Sequence, residues 1–276
     1  PVEIRPYERN TATRIIEDFM LAANETVAED CFWQELPFVY RTHDNPDPDR
    51  MRKLAAFINN FGYSIHLKDD EVHPKELQKL LAKLEETPEE DLISRLTLRS
   101  MKQAKYTTEC TGHFGLAAKY YCHFTSPIRR YPDLQIHRII KDVLRGRMNG
   151  TREEHYRSIL PEVARQSSER ERKADEAERE TIKLKKVEYM SHHLWEEFDG
   201  VISGVTAWGI YVELPNTVEG LVRTASLQGD YFEYNESACA MVGVHTGKSY
   251  AIGQKVKVQV TGADKMTRTI DFELVE

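Results

Sequence analysis

The stretch from residue 151 to residue 196 contains no glycine and a single proline, Pro161. Its second half is dense in Glu, Arg, Lys and Ala, and opposite charges recur four residues apart, which supports a long solvent-exposed helix. After Phe198 the chain changes to short apolar runs separated by glycines. This division predicts a helix-rich part, a long helix and a β-rich C-terminal part.

The C-terminal part, residues 197–276, contains about five short strands, which fits a small closed barrel such as the OB fold. We therefore place a domain boundary near residue 197. The strand patterns cover residues 199–205, 208–214, 220–222, 250–253, 255–260 and 268–274.

Residues 1–196 mix helical and strand patterns. Apolar spacing predicts helices over residues 11–30, 49–60, 74–84, 88–100 and 133–147, with Thr11 or Thr13 capping the first and Asp133 the last. The last helix should bury Leu134, His137, Ile140, Val143 and Leu144. Aromatic and β-branched runs predict strands over residues 37–41, 106–108 and 117–124, the last two joined by a glycine turn. The expected fold class is α+β, with helices packed on antiparallel strands and a barrel after them.

Hydropathy and cysteine spacing narrow the functional class. No apolar run reaches the roughly 20 residues that a membrane helix needs, so no membrane partner is expected. The four widely spaced cysteines favour a reducing, cytoplasmic compartment. A zinc site of Cys110, His113, Cys122 and His123 is disfavoured because structural sites usually contain a closer ligand pair. The chain has neither an initiator Met nor a signal-peptide pattern, so we expect a fragment of a longer protein.

The charge distribution is more informative than its sum. The formal net charge of −7 argues mildly against nucleic acid as a partner, because phosphates bind Lys and Arg. Between residues 129 and 147, however, six Lys and Arg side chains accompany only two Asp side chains. Such a cluster suits either a phosphate-binding surface or a solvated helix face, and composition leaves both open.

Three segments carry a resemblance to a known family. Residues 113–116 (HFGL), 123–134 (HFTSPIRRYPDL) and 137–138 (HR) strongly resemble the catalytic-domain signature of the ribonuclease II/ribonuclease R family. Residues 40–48 (YRTHDNPDP) and 177–180 (AERE) resemble other segments of that family. Residues 204–212 (GVTAWGIYV) and 218–222 (VEGLV) resemble an S-one-type RNA-binding barrel. The resemblance divides the chain into the C-terminal part of an exoribonuclease catalytic domain, residues 1–196, and an OB-fold RNA-binding domain, residues 197–276.

The resemblance implies a processive, hydrolytic 3′→5′ exoribonuclease that releases nucleoside 5′-monophosphates from single-stranded RNA and uses magnesium. In the family the metal ligands are an aspartate cluster upstream of the signature. This chain has no such cluster, so we predict no metal ligand in it and no activity from it alone. We expect the missing N-terminal half of the same enzyme as a partner, and exposed apolar surface where that half packs.

The acids Asp44, Asp47 and Asp49 are the nearest substitute for a metal-binding cluster. They alternate with two prolines just before a predicted helix. Acids at such a position serve as turn residues and helix N-caps, and they interact favourably with the helix dipole. We therefore interpret them as structural.

The resemblance also suggests catalytic residues. It places Arg129 at the family's catalytic arginine and Glu178 at a glutamate near the scissile phosphate. A guanidinium can bind two phosphate oxygens at once, and Glu178 could orient the attacking water or hold Arg129. The competing interpretation is a surface basic pair and a solvated helix acid. Further candidates to line the RNA channel are Arg130, Tyr131, His137 and Arg138.

In the barrel, Trp208 and Tyr211 are expected on one strand face, where their rings could stack on any base. The resemblance places Arg223, Asp264 and Arg268 near positions that contact RNA in the S-one fold. Two other functions stay open. One is a non-catalytic single-stranded RNA-binding protein, and the other is an interaction module in which the long helix docks a partner. Salt-sensitive RNA binding would separate these two.

Overall fold

The structure is a computed structural model that describes residues 1–6, 10–68, 71–85, 87, 89–235 and 238–275. A helix-rich part precedes a closed barrel, so the predicted α+β class is confirmed. The helix-rich part consists, in chain order, of α1 Thr11–Trp33, β1 Tyr40–Thr42, α2 Pro48–Asn59, β2 Leu67–Lys68, β3 Glu71–Val72, α3 Pro74–Leu84, α4 Glu90–Ser100, β4 Lys105–Thr107, α5 Tyr131–Leu144 and α6 Gly150–Met190.

Side-chain caps fix where the first two helices begin. Asn10, and not a threonine, caps α1: its Oδ1 accepts from the Thr13 amide at 3.0 Å, and the Asn10 amide donates to Thr13 Oγ1 at 3.1 Å. Asp47 caps α2 by accepting from the amides of Asp49 and Arg50 at 2.9 and 3.2 Å. The interpretation of Asp47 as an N-cap is therefore confirmed.

Helices α2, α3 and α4 share one apolar core. Buried residues recur every three or four positions, as the 3.6-residue helical period requires. The predicted bounds of α3 agree with the structure, and α4 begins at Glu90; Pro88, the predicted start, lies outside the described residues. The core contains Met51, Leu54, Ile58, Leu77, Leu80, Leu84 and Ile93.

The predicted strand over residues 117–124 is wrong. A 3₁₀ helix, Phe114–Leu116, ends at Ala117, whose φ of 54° turns the backbone out of an extended path. Ala118 forms only an isolated bridge with His113. The strand β4 pairs instead with β1, antiparallel, with Arg41 opposite Tyr106. The aromatic residues of this segment therefore fill the core from an irregular loop.

The helix α5 starts two residues earlier than predicted and buries a different face. Asp133 is not its cap: it lies inside the first turn and is completely buried. Leu144, expected in the core, is 79% exposed. The prediction failed because it assigned no acid to the buried face, whereas that face includes ion-paired acids. That face consists of Pro132, Asp133, Gln135, Ile136, Ile139 and Asp142.

The helix α6 is continuous over 41 residues, and Pro161 lies inside it. Its first half buries Tyr156, Leu160 and Ala164 in a core shared with Tyr106 of β4 and Ile139 of α5. Its last turn buries Val187 and Met190 in the barrel core. The helix therefore connects the two parts, and its middle lies between them.

The strands of the barrel are β5 Glu197–Thr206, β6 Gly209–Glu213, β7 Glu219–Arg223, β11 Lys255–Asp264 and β12 Thr269–Leu274. They close in the order β11-β12-β7-β6-β5, which confirms the predicted OB-like architecture. The pair β12 and β7 is parallel, and the other pairs are antiparallel. Between β7 and β11 the chain forms a three-stranded antiparallel sheet of β8 Phe232–Asn235, β9 Ala240–Gly243 and β10 Ser249–Ala251.

Within the described part of the chain, none of the helices has both the length and the apolar character needed to cross a bilayer.

Candidate RNA-binding and catalytic site

Arg129 lies in a tight turn just before α5, and its side chain is exposed. The amides of Arg129 and Arg130 both donate to the carbonyl oxygen of Ser126, at 3.3 and 3.1 Å. Its neighbour Ile128 is fully exposed as well. Among the described residues, none forms a hydrogen bond or ion pair with the Arg129 guanidinium. The group is therefore available to a ligand.

Asp133 holds the base of this turn. Its Oδ1 accepts from the Ser126 amide at 2.8 Å and from Arg130 Nη2 at 2.7 Å. The carboxylate is completely buried, whereas 16% of the Arg130 side chain is exposed. Arg130, predicted to line the RNA channel, thus has one of its nitrogens engaged with Asp133 and only a small part of its surface free.

A buried network lies beneath the turn. His123 Nδ1 and the hydroxyl of Tyr106 are hydrogen-bonded at 2.8 Å. Arg41 lies over the Tyr106 ring, 4.7 Å from its centre, and donates to Glu171 of α6 at 2.6 Å. Burial, together with the positive charges of Arg130 and Arg41, lowers the pKa of His123 to about 2. His123 is therefore neutral, and it helps to connect the turn to β4, β1 and α6.

Tyr131 and Arg138 form a pair on the exposed face of α5. Tyr131 is 49% exposed, and the Arg138 guanidinium lies 5.9 Å from the centre of its ring. The hydroxyl of Tyr131 accepts from Gln135 Nε2 at 2.8 Å. His137 is more enclosed: its ring stacks on Phe124 at 4.3 Å and its Nε2 is 3.0 Å from the Phe124 carbonyl oxygen. Tyr131 and Arg138 are thus the more accessible candidates.

Glu178 is exposed on the middle of α6, where that helix runs between the two cores. It lies two helical turns after Glu171, so it shares the face that contacts Arg41. It lines an open cleft of about 650 Å³ with Gln103 and charged residues of α6. No hydrogen bond or ion pair joins Glu178 to Arg129 in the described part of the chain.

The barrel brings three of its five candidates to one outer face. Trp208 is not on a strand but in the turn between β5 and β6, where it is 62% exposed and its Nε1 donates to the Tyr211 hydroxyl at 3.1 Å. Tyr211 and Arg223 lie on the outward sides of neighbouring strands. Arg223 also donates to Asp271 at 3.1 Å.

The other two barrel candidates have structural partners. Asp264 accepts from the Met266 amide at 2.8 Å and closes the turn after β11. That backbone hydrogen bond is the main reason why the pKa of Asp264 is below its usual value. Arg268 forms an ion pair with Glu180 of α6 and so attaches the barrel to that helix.

Comparisons with known proteins fit this arrangement. The RNB domain family matches residues 1–146, and the S1 RNA binding domain family matches residues 195–274. The chain belongs to the RNB family.

Curated relatives of this RNB chain are ribonucleases R. "Ribonuclease R 1" of Lactococcus lactis is 46% identical over 273 residues, which are 99% of this chain and 33% of that protein. "Ribonuclease R" of Aquifex aeolicus is 44% identical over 277 residues, 100% of this chain and 39% of that protein. The chain thus spans between a third and two fifths of the length of these relatives.

A solved structure of the same family has the same fold. The structure "Mycoplasma genitalium RNase R in complex with ribose methylated single-stranded RNA" matches with a TM-score of 0.91 at 25% identity. The match covers 100% of this chain and 43% of that one.

The RNB chain shows no candidate metal site in its described residues, where no three His, Cys, Asp or Glu side chains are grouped as ligands. Asp44 pairs with Lys105 at 2.9 Å, Asp47 caps α2, and Asp49 pairs with Arg52. Cys122 is buried and donates to the Asn24 carbonyl oxygen at 3.2 Å. Asp44, Asp47 and Asp49 are therefore engaged in separate structural contacts and are not grouped as magnesium ligands.

Sequence reasoning missed the buried half of the site. Asp133 was interpreted as a cap, and Arg41, Tyr106 and Glu171 were not identified as partners of the signature segment. Arg41 and His123 did fall within segments that resemble the family. One sequence signal could have indicated these contacts: a charged or imidazole side chain within an otherwise apolar segment. Such a side chain, when buried, needs a hydrogen-bonding or charged partner, so its presence predicts a buried polar network.

Proposed function

We propose that this chain supplies the phosphate-binding arginine and the RNA-binding barrel of a hydrolytic 3′→5′ exoribonuclease acting on single-stranded RNA. The observation that carries the proposal is the exposed Arg129 guanidinium at the tip of a turn whose base is buried. Membership of the RNB family and the ribonuclease R relatives support it. The released products would be nucleoside 5′-monophosphates, formed processively.

In this proposal Arg129 binds non-bridging oxygens of the scissile phosphate. A guanidinium can donate to two such oxygens and stabilise the charge that develops on them. Glu178, on α6, orients the attacking water or positions Arg129. Tyr131, Arg138 and, less directly, His137 and Arg130 line the RNA path. Magnesium would be the cofactor of the intact enzyme, with its ligands outside this chain.

The barrel would add contacts that tolerate any base sequence. Trp208 and Tyr211 offer rings for stacking, and Arg223 lies near them with its side chain exposed. Asp264 and Arg268 would act at the turn after β11.

We propose residues 1–196 as the catalytic part and residues 197–276 as the RNA-binding domain. The four cysteines, all within the described ranges, form no disulfide, which supports a cytoplasmic compartment.

We also propose that an N-terminal region of the same enzyme covers the outer face of α1. Ile15, Ile16 and Phe19 are 50%, 60% and 69% exposed and lie on adjacent positions of that helix. An apolar face of this kind marks an interaction site. Sedimentation at high concentration should detect self-association of the chain, and Phe19→Ser should reduce it. A chain that stays monomeric under these conditions would contradict this part of the proposal.

A chimaera tests the exoribonuclease assignment. In Lactococcus lactis ribonuclease R 1 the matching segment is replaced by this chain, and digestion of 5′-labelled single-stranded RNA is followed with magnesium present. The chimaera should shorten the RNA from its 3′ end. Arg129→Ala should lower the rate about 100-fold or more, as loss of one charge-stabilising donor does. Full activity of Arg129→Ala would refute the assigned role.

The second candidate function is RNA binding without catalysis. The exposed Trp208 beside Tyr211 favours it, because this surface needs no catalytic group. It predicts that the isolated chain binds RNA with an affinity that falls steeply with salt, and that the chimaera is inactive although folded.

A further inference from the structure

Resting on the proposed function, we propose that Asp133 is a positioning residue: it holds the turn that presents Arg129 to an RNA phosphate. Its buried carboxylate accepts from the Ser126 amide at 2.8 Å and from the Arg130 guanidinium at 2.7 Å. These contacts tie the start and the end of the turn to one group, and Arg129 lies between them.

Asp133 cannot touch RNA itself, because none of its surface is exposed. Its effect must therefore pass through the turn. Hydrogen bonds within the turn also restrain it: the Ser126 carbonyl oxygen accepts from the amides of Arg129 and Arg130. The backbone of Ser126 is thus held on its amide side by Asp133 and on its carbonyl side by the turn, which restricts where Arg129 can point.

The contact with Asp133 gives Arg130 a structural role, whereas the neighbouring Arg129 stays available to a ligand. Asp133 draws the Arg130 guanidinium inward, where 16% of that side chain remains exposed. The Arg129 side chain has no such partner among the described residues and stays exposed. Without the carboxylate, Arg130 would be a largely buried cation without its counter-charge, a costly state that favours rearrangement of the turn.

Asp133→Asn is a sharp test because the change of net charge and the loss of the positioning role have opposite expected effects on RNA affinity. The variant removes a negative charge, and by electrostatics alone a more positive protein binds RNA more tightly. The positioning role predicts weaker binding. Asn can still accept from Ser126, but it cannot neutralise Arg130, and its amide group replaces an oxygen, Oδ2, that has no partner in the described structure.

The experiment measures binding of a fluorescent single-stranded oligouridylate by the full chain at several salt concentrations. Arg129→Ala should weaken binding about threefold to tenfold, as the net loss of one typical hydrogen-bonding contact does. It should also lower the salt slope by about 0.7, the value for one phosphate on a single strand. Asp133→Asn should reproduce both changes. The double variant should bind no more weakly than Arg129→Ala, because the two residues act through one contact.

Asp142→Asn is the matched control. It has the same change of charge on the same helix, and Asp142 is bound by Arg152 and Tyr156 at the other end of α5. It should bind RNA as the parent does or slightly more tightly, with the same salt slope. A general loss of helix stability would affect both variants, whereas loss of the Arg129 contact affects only Asp133→Asn.

Two outcomes overturn the inference while the proposed function stands. In the first, Arg129→Ala weakens binding but Asp133→Asn does not. In the second, both weaken it and their effects add in the double variant. If Arg129→Ala changes nothing, the proposed role of Arg129 fails and the inference fails with it.

Should Asp133→Asn not fold, Arg130→Lys tests the same link. It keeps the positive charge but loses the geometry, and the same non-additive loss with Arg129→Ala is expected, whereas unchanged or additive binding overturns the inference.

Discussion

Trp208 is the more exposed of the two barrel residues that we propose for stacking on a base. Trp208→Ala should weaken binding of single-stranded RNA by about 1–3 kcal/mol, with little dependence on base sequence. Fluorescence anisotropy with oligouridylate and oligoadenylate would measure it. Trp33→Ala is the matched control, since Trp33 is 67% exposed but lies at the end of α1. Equal losses from the two variants would contradict a specific role of the barrel face.

His123 should make the chain less stable in mild acid. Burial and nearby arginines lower its pKa to about 2, so the folded state stays neutral while the unfolded chain binds a proton below the ordinary pKa of 6.5. Stability is therefore full above pH 6.5 and falls as the pH drops, by up to about 1.4 kcal/mol per pH unit. His113, whose pKa is lowered to about 4 mainly by burial, adds to the same trend.

Urea unfolding at several pH values between 7 and 4.5 checks this expectation. His123→Gln should flatten the dependence of the unfolding free energy on pH by up to about 1.4 kcal/mol per unit. His192→Gln, the same substitution at an exposed position, is the control for the change of residue type. Parallel curves for the parent and His123→Gln would show that His123 is not kept neutral by the fold.

For single residues, the sequence predicted exposed side chains such as Arg129 better than buried polar side chains such as Asp133. Arg129 was identified through the family resemblance, and it is exposed in the structure. Asp133 was interpreted as a cap because an acid at a helix start usually has that role. Its actual partners are the Ser126 amide and Arg130, and the bend of the chain that brings them together has no periodic signal.

At the scale of single elements, the strand β7 depends on a glycine. A Cβ at Gly220 would lie 2.5–2.7 Å from three ring atoms of Phe272, which is buried in the barrel. Gly220→Ala should therefore destabilise the chain by about 1–3 kcal/mol through overpacking. Gly150→Ala at the start of α6 is the control, because a Cβ there meets nothing within 4 Å. Thermal unfolding would measure both, and a Gly220→Ala variant as stable as the parent would refute this packing.

Elements with a regular pattern were predicted well, and elements without one were not. Leu77, Leu80 and Leu84 repeat at helical spacing, and the predicted bounds of α3 agree with the structure. The segment over residues 117–124 has strand-like composition, yet it is a loop. Composition reflects burial as well as strand formation, and these aromatic residues are buried in a segment with isolated backbone contacts, such as that of the Arg41 amide with the Tyr121 carbonyl oxygen. Only the left-handed Ala117 marks the difference, and a non-glycine residue gives no warning of that conformation.

At the scale of the whole molecule, the first barrel strand begins at Glu197, but the barrel core extends back into α6. Val187 and Met190 of α6 are at most 1% exposed and belong to that core. The Trp195 amide also donates to the Val260 carbonyl oxygen at 2.8 Å. A change of composition locates strands, but it cannot reveal that a helix end completes the core of a barrel.

A barrel fragment should therefore need the end of α6. A fragment that begins at residue 184 keeps the two buried side chains, and one that begins at residue 197 lacks them. Burial of an apolar side chain contributes about 1.5–3 kcal/mol, so the longer fragment should have a free energy of unfolding higher by about 3 kcal/mol or more. Urea unfolding would measure the difference. The longer fragment with Val187→Ala and Met190→Ala should lose most of the gain, because its chain length is unchanged while the buried groups are gone. Equal stability of all three fragments would mean that the barrel core is complete without α6, and that the helix only rests against it.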